Sequence, residues 1–293
     1  MELRHLRFFI AVAETGSLTV AAEKRLNTAQ PSLSRQMRDL EAELGCELMI
    51  RGARGIELTA AGRVLLDHAR AVLLQVEAAK EATRRAAKAS FVIGFLTGYE
   101  FEWLSAVMAI MRDQLPNTEV VILSLSSPDI ADGLARGKID LAFLRHERNA
   151  PGVTFTLLRN EPLMVLMPAD HRLAVRDAVR SEDIVDEQLI GVPADKSPAL
   201  RAVTDAYGAQ LGIDLTPDHN VDNISMMISL VASTGGIALA PLYARNLLPP
   251  TVISRPLAGV PPTIDLSLGY NEANTSPLLK AIVSRIGEMT FST

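Results

Sequence analysis

The chain has one cysteine, Cys46, and one tryptophan, and aromatic residues make up only 4% of its 293 residues. A single thiol excludes an internal disulfide framework and any thiol-rich zinc site. The apolar start is broken by Arg4, His5 and Arg7, so neither a secretory signal nor a membrane span is expected, and the expected location is the cytoplasm. The glycosylation patterns Asn223-Ile224-Ser225 and Asn274-Thr275-Ser276 mean little on a chain with no route out of the cell. Catalytic signatures are missing too: there is no His-Glu-x-x-His pair, no phosphate loop ending in Gly-Lys-Ser/Thr and no Gly-x-Ser-x-Gly elbow. Gly235-Gly236 follows a helical pattern and leads into a strand, the wrong order for a dinucleotide fingerprint. The five histidines are scattered, with His171 and His219 in turn-like stretches, so no metal, cofactor or enzymatic role is expected.

What is present begins in the first sixty residues. Helical patterns over 3–14, 18–26 and 30–44 are separated by Gly16-Ser17 and by Asn27, Thr28 and Ala29, the arrangement of a helix-turn-helix. Leu6, Phe9, Ile10 and Ala13 form one apolar face, Ser17 can cap the next helix, and the Ala21-Ala22 pair permits close approach to the third. In that third helix Leu33, Met37, Leu40 and Leu44 should face inward. Its opening places Pro31 where a missing N–H costs nothing, and leaves Thr28, Gln30, Ser32, Ser34, Arg35 and Arg38 free to reach double-stranded DNA. Two short strands around Gly52 and Gly55 read as a wing, on which Arg51 and Arg54 would face phosphates and set register rather than specificity. Charge agrees with this placement: residues 1–90 hold 14 Lys and Arg against 11 Asp and Glu, whereas residues 91–293 hold 15 against 23.

Thr59 can cap a helix running to about residue 87, with Leu65, Ala69, Val72, Val76 and Ala79 alternating steps of four and three. Such a seam either pairs two copies of the chain or packs on the chain's own remainder. From residue 91 the pattern becomes α/β: strands at 91–96, 119–125, 139–144, 163–167, 189–192, 237–240 and 264–269 alternate with helices, the last at 277–290. The expected fold is an N-terminal winged helix-turn-helix (1–58) and a long linker helix (59–89), followed by a two-lobed α/β effector-binding domain (90–293) of the periplasmic-binding-protein kind. Lobe one takes 90–161 and 267–293, and lobe two takes 162–266. A cleft between the lobes suits a small polar effector. Thr97, Gly98, Ser126, Ser127 and Ser197 stand at strand ends and helix starts, where hydroxyls and free N–H groups suit a carboxylate. Residues 193–198 with Leu266 and Leu268 would form an apolar wall. Arg145 and His146 either neutralise an anionic ligand or are exposed loop residues. Asp129, Asp132 and Asp140 read as a cap, a surface position and a turn.

These residues also carry a resemblance. Met1 to Phe9, Ala21-Ala22-Glu23, Gln30-Pro31-Ser32-Leu33-Ser34-Arg35-Gln36, Leu40-Glu41, Leu44-Gly45 and Leu58-Thr59-x-Ala61-Gly62 resemble the LysR-type transcriptional regulators. The sensor half resembles them more loosely, through Leu134-x-x-Gly137-Lys138-Ile139-Asp140-Leu141-Ala142-Phe143 and Gly236-Ile237-Ala238-Leu239-Ala240-Pro241. The resemblance implies a DNA-binding regulator that responds to a small organic acid and works as a homodimer or homotetramer, with RNA polymerase as a candidate partner. The opening Glu-Leu-Arg-His-Leu-Arg is similar to the branch that governs aromatic-compound catabolism. Ala29 departs from the pattern, standing where a serine is usual, and Met49 where an aromatic is. The rival reading is a bilobed small-solute binding protein joined to an unrelated helical domain; the recognition helix and the lack of an export signal count against it. A DNA binder without an effector would leave some 200 residues without a task.

Overall fold

Leu6, Phe9 and Val12 recur at helical spacing and put one buried stripe on α1 (Leu3–Thr15). In the computed structural model, which describes residues 1–52, 55–88, 90–114 and 118–288, this stripe is the centre of the first of two units, Met1–Lys80 and Glu81–Thr293. Gly16 ends α1 in the left-handed conformation, and the Ser17 hydroxyl accepts from the Val20 amide to start α2 (Leu18–Val20). That helix continues as a π-helical turn, Ala21–Leu26, and stops at Asn27, which reaches φ +46°. Ala21 and Ala22 are fully buried and bring the turn against α1 and α3 (Gln30–Leu44). Leu33, Met37 and Leu40 complete this core, but Leu44 is 40% exposed because Gly45 ends the helix at that turn.

β1 (Met49–Gly52) pairs with β2 (Gly55–Leu58) in antiparallel register, and Met49 is buried in the same core. The Thr59 hydroxyl accepts from the Gly62 amide and begins α4 (Ala60–Lys88). Leu65 and the fully buried Ala69 lie on its inner side, Leu65 packing on this core, and Arg70 pairs with Glu14 of α1 at 3.0 Å. Val76 is half-buried, and Val72 and Ala79 are exposed.

The second unit is built on one sheet. β3 (Ser90–Leu96), α5 (Glu100–Gln114), β4 (Glu119–Leu125), α6 (Ser127–Ala135) and β5 (Leu141–Leu144) form its first part, with β4 and β5 both parallel to β3 and on either side of it. β5 is shorter than expected because the Ile139 amide closes a turn onto Gly133, while Asp140 is buried and exchanges bonds with Val92, its carboxylate accepting from the amide at 2.8 Å. Asp140 is therefore a strand anchor and not a free turn residue.

β6 (Val153–Pro168) is far longer than the expected 163–167. After it come α7 (Ser181–Ile184), β7 (Leu189–Gly191), α8 (Pro198–Leu211), β8 (His219–Asn220), α9 (Ile224–Thr234), β9 (Ile237–Pro241), a 3-10 turn (Leu242–Leu247), β10 (Val252–Pro256), β11 (Thr263–Asn271) and α10 (Pro277–Gly287). Residues 289 and 290, at the end of the expected last helix, lie outside the described residues. The strand order is β4-β3-β5-β11-β6-β9-β7-β8, with β10 also on β6. Residues 153–162 of β6 pair with β11, and residues 163–168 pair with β9 and β10. The second lobe has its own core, which includes Leu163, Val165, Leu200, Tyr207, Ile237 and Leu239.

At the start of α4 the backbone of Gly62 runs close against the residue that precedes β1, where a Cβ on Gly62 would lie 2.1 Å from the Leu48 carbonyl oxygen. Gly62→Ala is expected to destabilise the protein by roughly 1–3 kcal/mol, the usual cost of overpacking. A urea titration checks this, and an unchanged midpoint would mean that the turn yields freely.

Candidate DNA-reading face and effector cavity

α3 starts without a side-chain cap, because Ala29 at its N-cap has no oxygen to offer. The first-turn N–H groups are left for an outside acceptor, and a phosphate suits them by charge and by hydrogen bonding. Pro31, Ser32, Arg35 and Arg38 are exposed, and Thr28, Gln30 and Ser34 are half-buried. Arg35 is 82% exposed and its nearest carboxylate, Asp39, is 3.9 Å away, a contact too weak to hold it. Arg38 Nε donates to the Ser34 carbonyl at 3.4 Å. Arg51 is less free than expected: it lies 3.6 Å from Glu41, whose carboxylate also accepts from the Leu48 and Met49 amides. Through those amides Glu41 ties the start of the wing to α3, with Arg51 beside it. Arg54 lies outside the described residues.

In the second unit the chain passes from β3 to β4 on one side and then from β4 back across to β5 on the other, which opens a crevice beyond the carboxyl ends of the strands. Thr97 follows β3, Ser126 follows β4 and Arg145 follows β5. Lobe two repeats the device, with β8 and β9 both parallel to β7, and Val192, Asp222 and Pro241 stand at the corresponding ends. These ends line one cavity of about 270 Å³, together with Lys196, Ser197, Asn223 and Tyr243 and an apolar surface of Leu96, Leu200, Ile224 and Ile264. Of the expected effector residues, Thr97, Ser126, Arg145 and Ser197 line the cavity, and Gly98 and Ser127 do not.

The expected donors are largely engaged already. The Thr97 amide donates to the Leu125 carbonyl at 3.1 Å, and the Gly98 amide donates to the Glu100 carboxylate at 2.7 Å. The Ser126 hydroxyl caps α6 and donates to Asp129 at 2.6 Å. The Ser127 hydroxyl is buried, accepting from the Arg145 amide. Gly98 holds φ +100° with Tyr243 and Leu247 against it, where a Cβ would clash at 2.8 Å. The apolar wall differs as well, since Leu266 and Leu268 are sealed in the core and Ile264, Ile224 and Leu200 take their place.

Arg145 is not an exposed loop residue; it is buried. Its guanidinium donates to the Tyr99 hydroxyl at 2.7 Å, to Glu161 at 3.1 Å and to the Asp265 carbonyl at 2.8 Å. Tyr99 also donates to Glu161, and Arg159 pairs with Glu161 at 2.5 Å and with Glu102 at 2.7 Å. Burial works against the charged form of Arg145, but Tyr99 and Glu161 outweigh it and raise its pKa. Burial likewise raises Tyr99 and Tyr243, whose rings stack with centroids 4.0 Å apart, so both stay neutral hydroxyls. Tyr243 donates to the Thr97 carbonyl at 3.2 Å. The cluster escaped the sequence reading because Glu161 and Tyr99 become partners of Arg145 only through the sheet.

A winged helix-turn-helix and a two-lobed α/β domain with a cavity between its lobes define a ligand-responsive DNA-binding protein. Family comparison is specific: residues 3–63 match the bacterial regulatory helix-turn-helix protein, lysR family, and residues 84–290 match the LysR substrate binding domain. The chain is 34% identical over 294 residues to the Hca operon transcriptional activator HcaR of Escherichia coli, covering all of this chain and 99% of that one. It is 34% identical over 251 residues to the HTH-type transcriptional regulator BenM of Acinetobacter baylyi, covering 84% and 82%. The crystal structure of full-length BenM superposes with a TM-score of 0.58 at 30% identity, over 98% of this chain and 95% of that one. That of CbnR, a LysR family transcriptional regulator, gives 0.58 at 25% identity over 98% and 100%. The chain belongs to the LysR family: it is a sequence-specific DNA-binding transcriptional regulator with a small-molecule effector-binding domain, and not an enzyme. No helix among the described residues is long and apolar enough to cross a membrane.

Two residues beyond Arg145, one carboxylate oxygen of Glu147 is sealed from solvent with no partner among the described residues, and burial pushes the pKa up from 4.5 to about 7. The folded state thus holds this proton more tightly than the unfolded chain does. The stabilising contribution is complete below pH 4.5 and is lost as pH rises through 7. Glu147→Gln should therefore gain stability relative to the parent between pH 4.5 and 8. Denaturant titrations at both values check it, and a constant difference would show that Glu147 is already ionised in the folded state.

Proposed function

We propose that the effector is a small organic carboxylate, aromatic acids included, and that it sits in the inter-lobe cavity against Thr97, Ser126, Arg145 and Ser197. The supporting observation is the position of this cavity, at the carboxyl ends of parallel strands from both lobes, where polar groups meet an apolar surface. A ligand there touches both lobes and so favours one lobe arrangement over the other. A ligand that bound both arrangements equally would shift nothing. On this reading the chain divides into a DNA reader (1–58), a linker helix (59–89) and the effector domain (90–293), with lobes at 90–161 plus 267–293 and at 162–266. It acts in the cytoplasm, with RNA polymerase as a further partner.

In the same reading Gln30 and Arg35 enter the major groove, Thr28, Pro31, Ser32, Ser34 and Arg38 flank them, and Arg51 and Arg54 approach phosphates. Arg35→Ala is expected to cost about 1–3 kcal/mol of discrimination against the wrong base. Titration of parent and variant against cognate and scrambled duplexes tests this. Equal losses on both would reduce Arg35 to a phosphate contact.

α4 pairs two copies through Val72, Val76 and Ala79, with Leu65 at the base of the seam, and further contacts build a tetramer from two dimers. A pair presents two recognition helices to two half-sites. The support is the exposure of Val72, which is 41% accessible on a helix that otherwise turns Leu65 and Ala69 inward. Val72→Glu should give a folded monomer in sedimentation at micromolar protein. A variant that remains dimeric would exclude this seam, and one that unfolds would make Val72 a packing residue.

A further inference from the structure

The cavity is asymmetric in what it still offers a ligand. On lobe one every polar side chain around it is committed: Thr97 to Leu125 and Ser124, Ser126 to Asp129, and Arg145 to Tyr99, Glu161 and the Asp265 carbonyl. On lobe two Tyr243 is spent as well, on the Thr97 carbonyl. Other polar groups of that lobe differ. Among the described residues the Lys196 ammonium, the Ser197 hydroxyl and the Asn223 amide nitrogen have no partner, and all three residues line the cavity. The amides of Lys196 and Ser197 both donate to the Pro193 carbonyl at 3.0 Å, which fixes the loop that carries them. Asn223 is held by its Oδ1, which accepts from the Met226 amide at 3.0 Å. Arg145 is neutralised by Glu161, so Lys196 is the one cation lining the cavity whose charge is not balanced within the described residues. Two carboxylates, Asp129 on lobe one and Asp222 on lobe two, line it as well.

Resting on the effector reading of this cavity, we propose that Lys196, Ser197 and the Asn223 amide hold the effector's carboxylate on lobe two, and that the site selects a monocarboxylate with an apolar body over a dicarboxylate. A charge-assisted bond to an ammonium is stronger than bonds to donors that must first leave their partners. A second carboxylate would face Asp129 or Asp222 without a free cation to meet it. Size agrees, since dry cavities of about 150 Å³ admit benzene, and this one, at about 270 Å³, takes a single ring with a carboxylate arm.

Calorimetric titration of the full chain with benzoate, terephthalate and benzamide tests the assignment. Benzoate should bind the parent at least about tenfold more tightly than either of the others. Lys196→Gln should weaken benzoate about tenfold or more and leave benzamide unchanged, whereas Lys196→Arg should stay within about threefold of the parent. Lys196 is exposed, so neither variant disturbs the core. Unchanged benzoate affinity in Lys196→Gln overturns the lysine assignment, and terephthalate binding as tightly as benzoate overturns the selection. Thr97→Phe, which fills the cavity, separates this failure from failure of the site itself. Benzoate lost in Thr97→Phe but indifferent to Lys196→Gln removes only the lysine, and benzoate kept in both removes the cavity as its seat. A parent chain that binds none of the three probes overturns the monocarboxylate class.

Discussion

The buried pair of Arg145 and Glu161 is the contact on which the second unit turns. A guanidinium and a carboxylate withdrawn from water each carry a desolvation cost of several kcal/mol, returned only when geometry and hydrogen bonding are complete. Here they are nearly complete: Tyr99 donates to Glu161 and accepts from Arg145, Asp265 supplies a carbonyl, and Arg159 takes the second oxygen of Glu161. Removing one member strands the other. Four elements, β5, β6, β11 and the start of α5, are tied at one point just behind the cavity wall. The same arrangement leaves the charge of Arg145 balanced by Glu161 within the protein.

The Thr97–Tyr99 turn shows how tightly packing and polar bonding are combined there. Glu100 reaches back to the Gly98 amide, Tyr243 stacks on Tyr99 and bonds to Thr97, and only a residue without a Cβ fits between them. A helix start that looks open in one dimension is closed in three by its own chain. In the first unit the reverse holds: Ala29 leaves the start of α3 uncapped, and nothing among the described residues of that unit fills the vacancy. The two helix starts have similar chemistry and opposite availability, and the difference is one carboxylate.

Much of the fold was legible in the residues. Periodicity placed α3 and β4 at their observed bounds, because each is a run whose apolar spacing or β-branched content is bracketed by clear stops such as Gly45 and Ser126. β6 was read short because Arg159, Asn160, Glu161 and Pro162 interrupt the apolar pattern in its middle, although Val153 to Leu158 alternates as a strand does. They are held by β11, more than a hundred residues later. Leu44 was read as buried because its spacing is right, but a helix that ends at Gly45 has no neighbour to cover it. The site was half legible. Hydroxyls at strand ends pointed to the right cavity, but whether a donor is free depends on partners distant in sequence, such as Ser127 for Arg145. Lys196 and Asn223 carried no motif beyond a polar residue near a helix start and a glycosylation pattern.

β6 and β11 each run through both lobes and are bonded to one another along nine paired positions, with one register shift between Leu266 and Ser267. Lobes joined by such a ribbon have few independent movements. Sliding past one another would break a continuous ladder, and pulling apart would stretch two backbones, so both are stiff. Torsion about the ribbon's long axis breaks no ladder bond, and the shift at Leu266 is where the ladder is already irregular. A rotation of the lobes therefore spares the ladder, and what it has to break instead is the Tyr99–Tyr243 stack and the Tyr243 bond to the Thr97 carbonyl. A ligand held between the lobes acts on that rotation as a small force on a lever, and its effect is set by distance from that axis as well as by how tightly it binds.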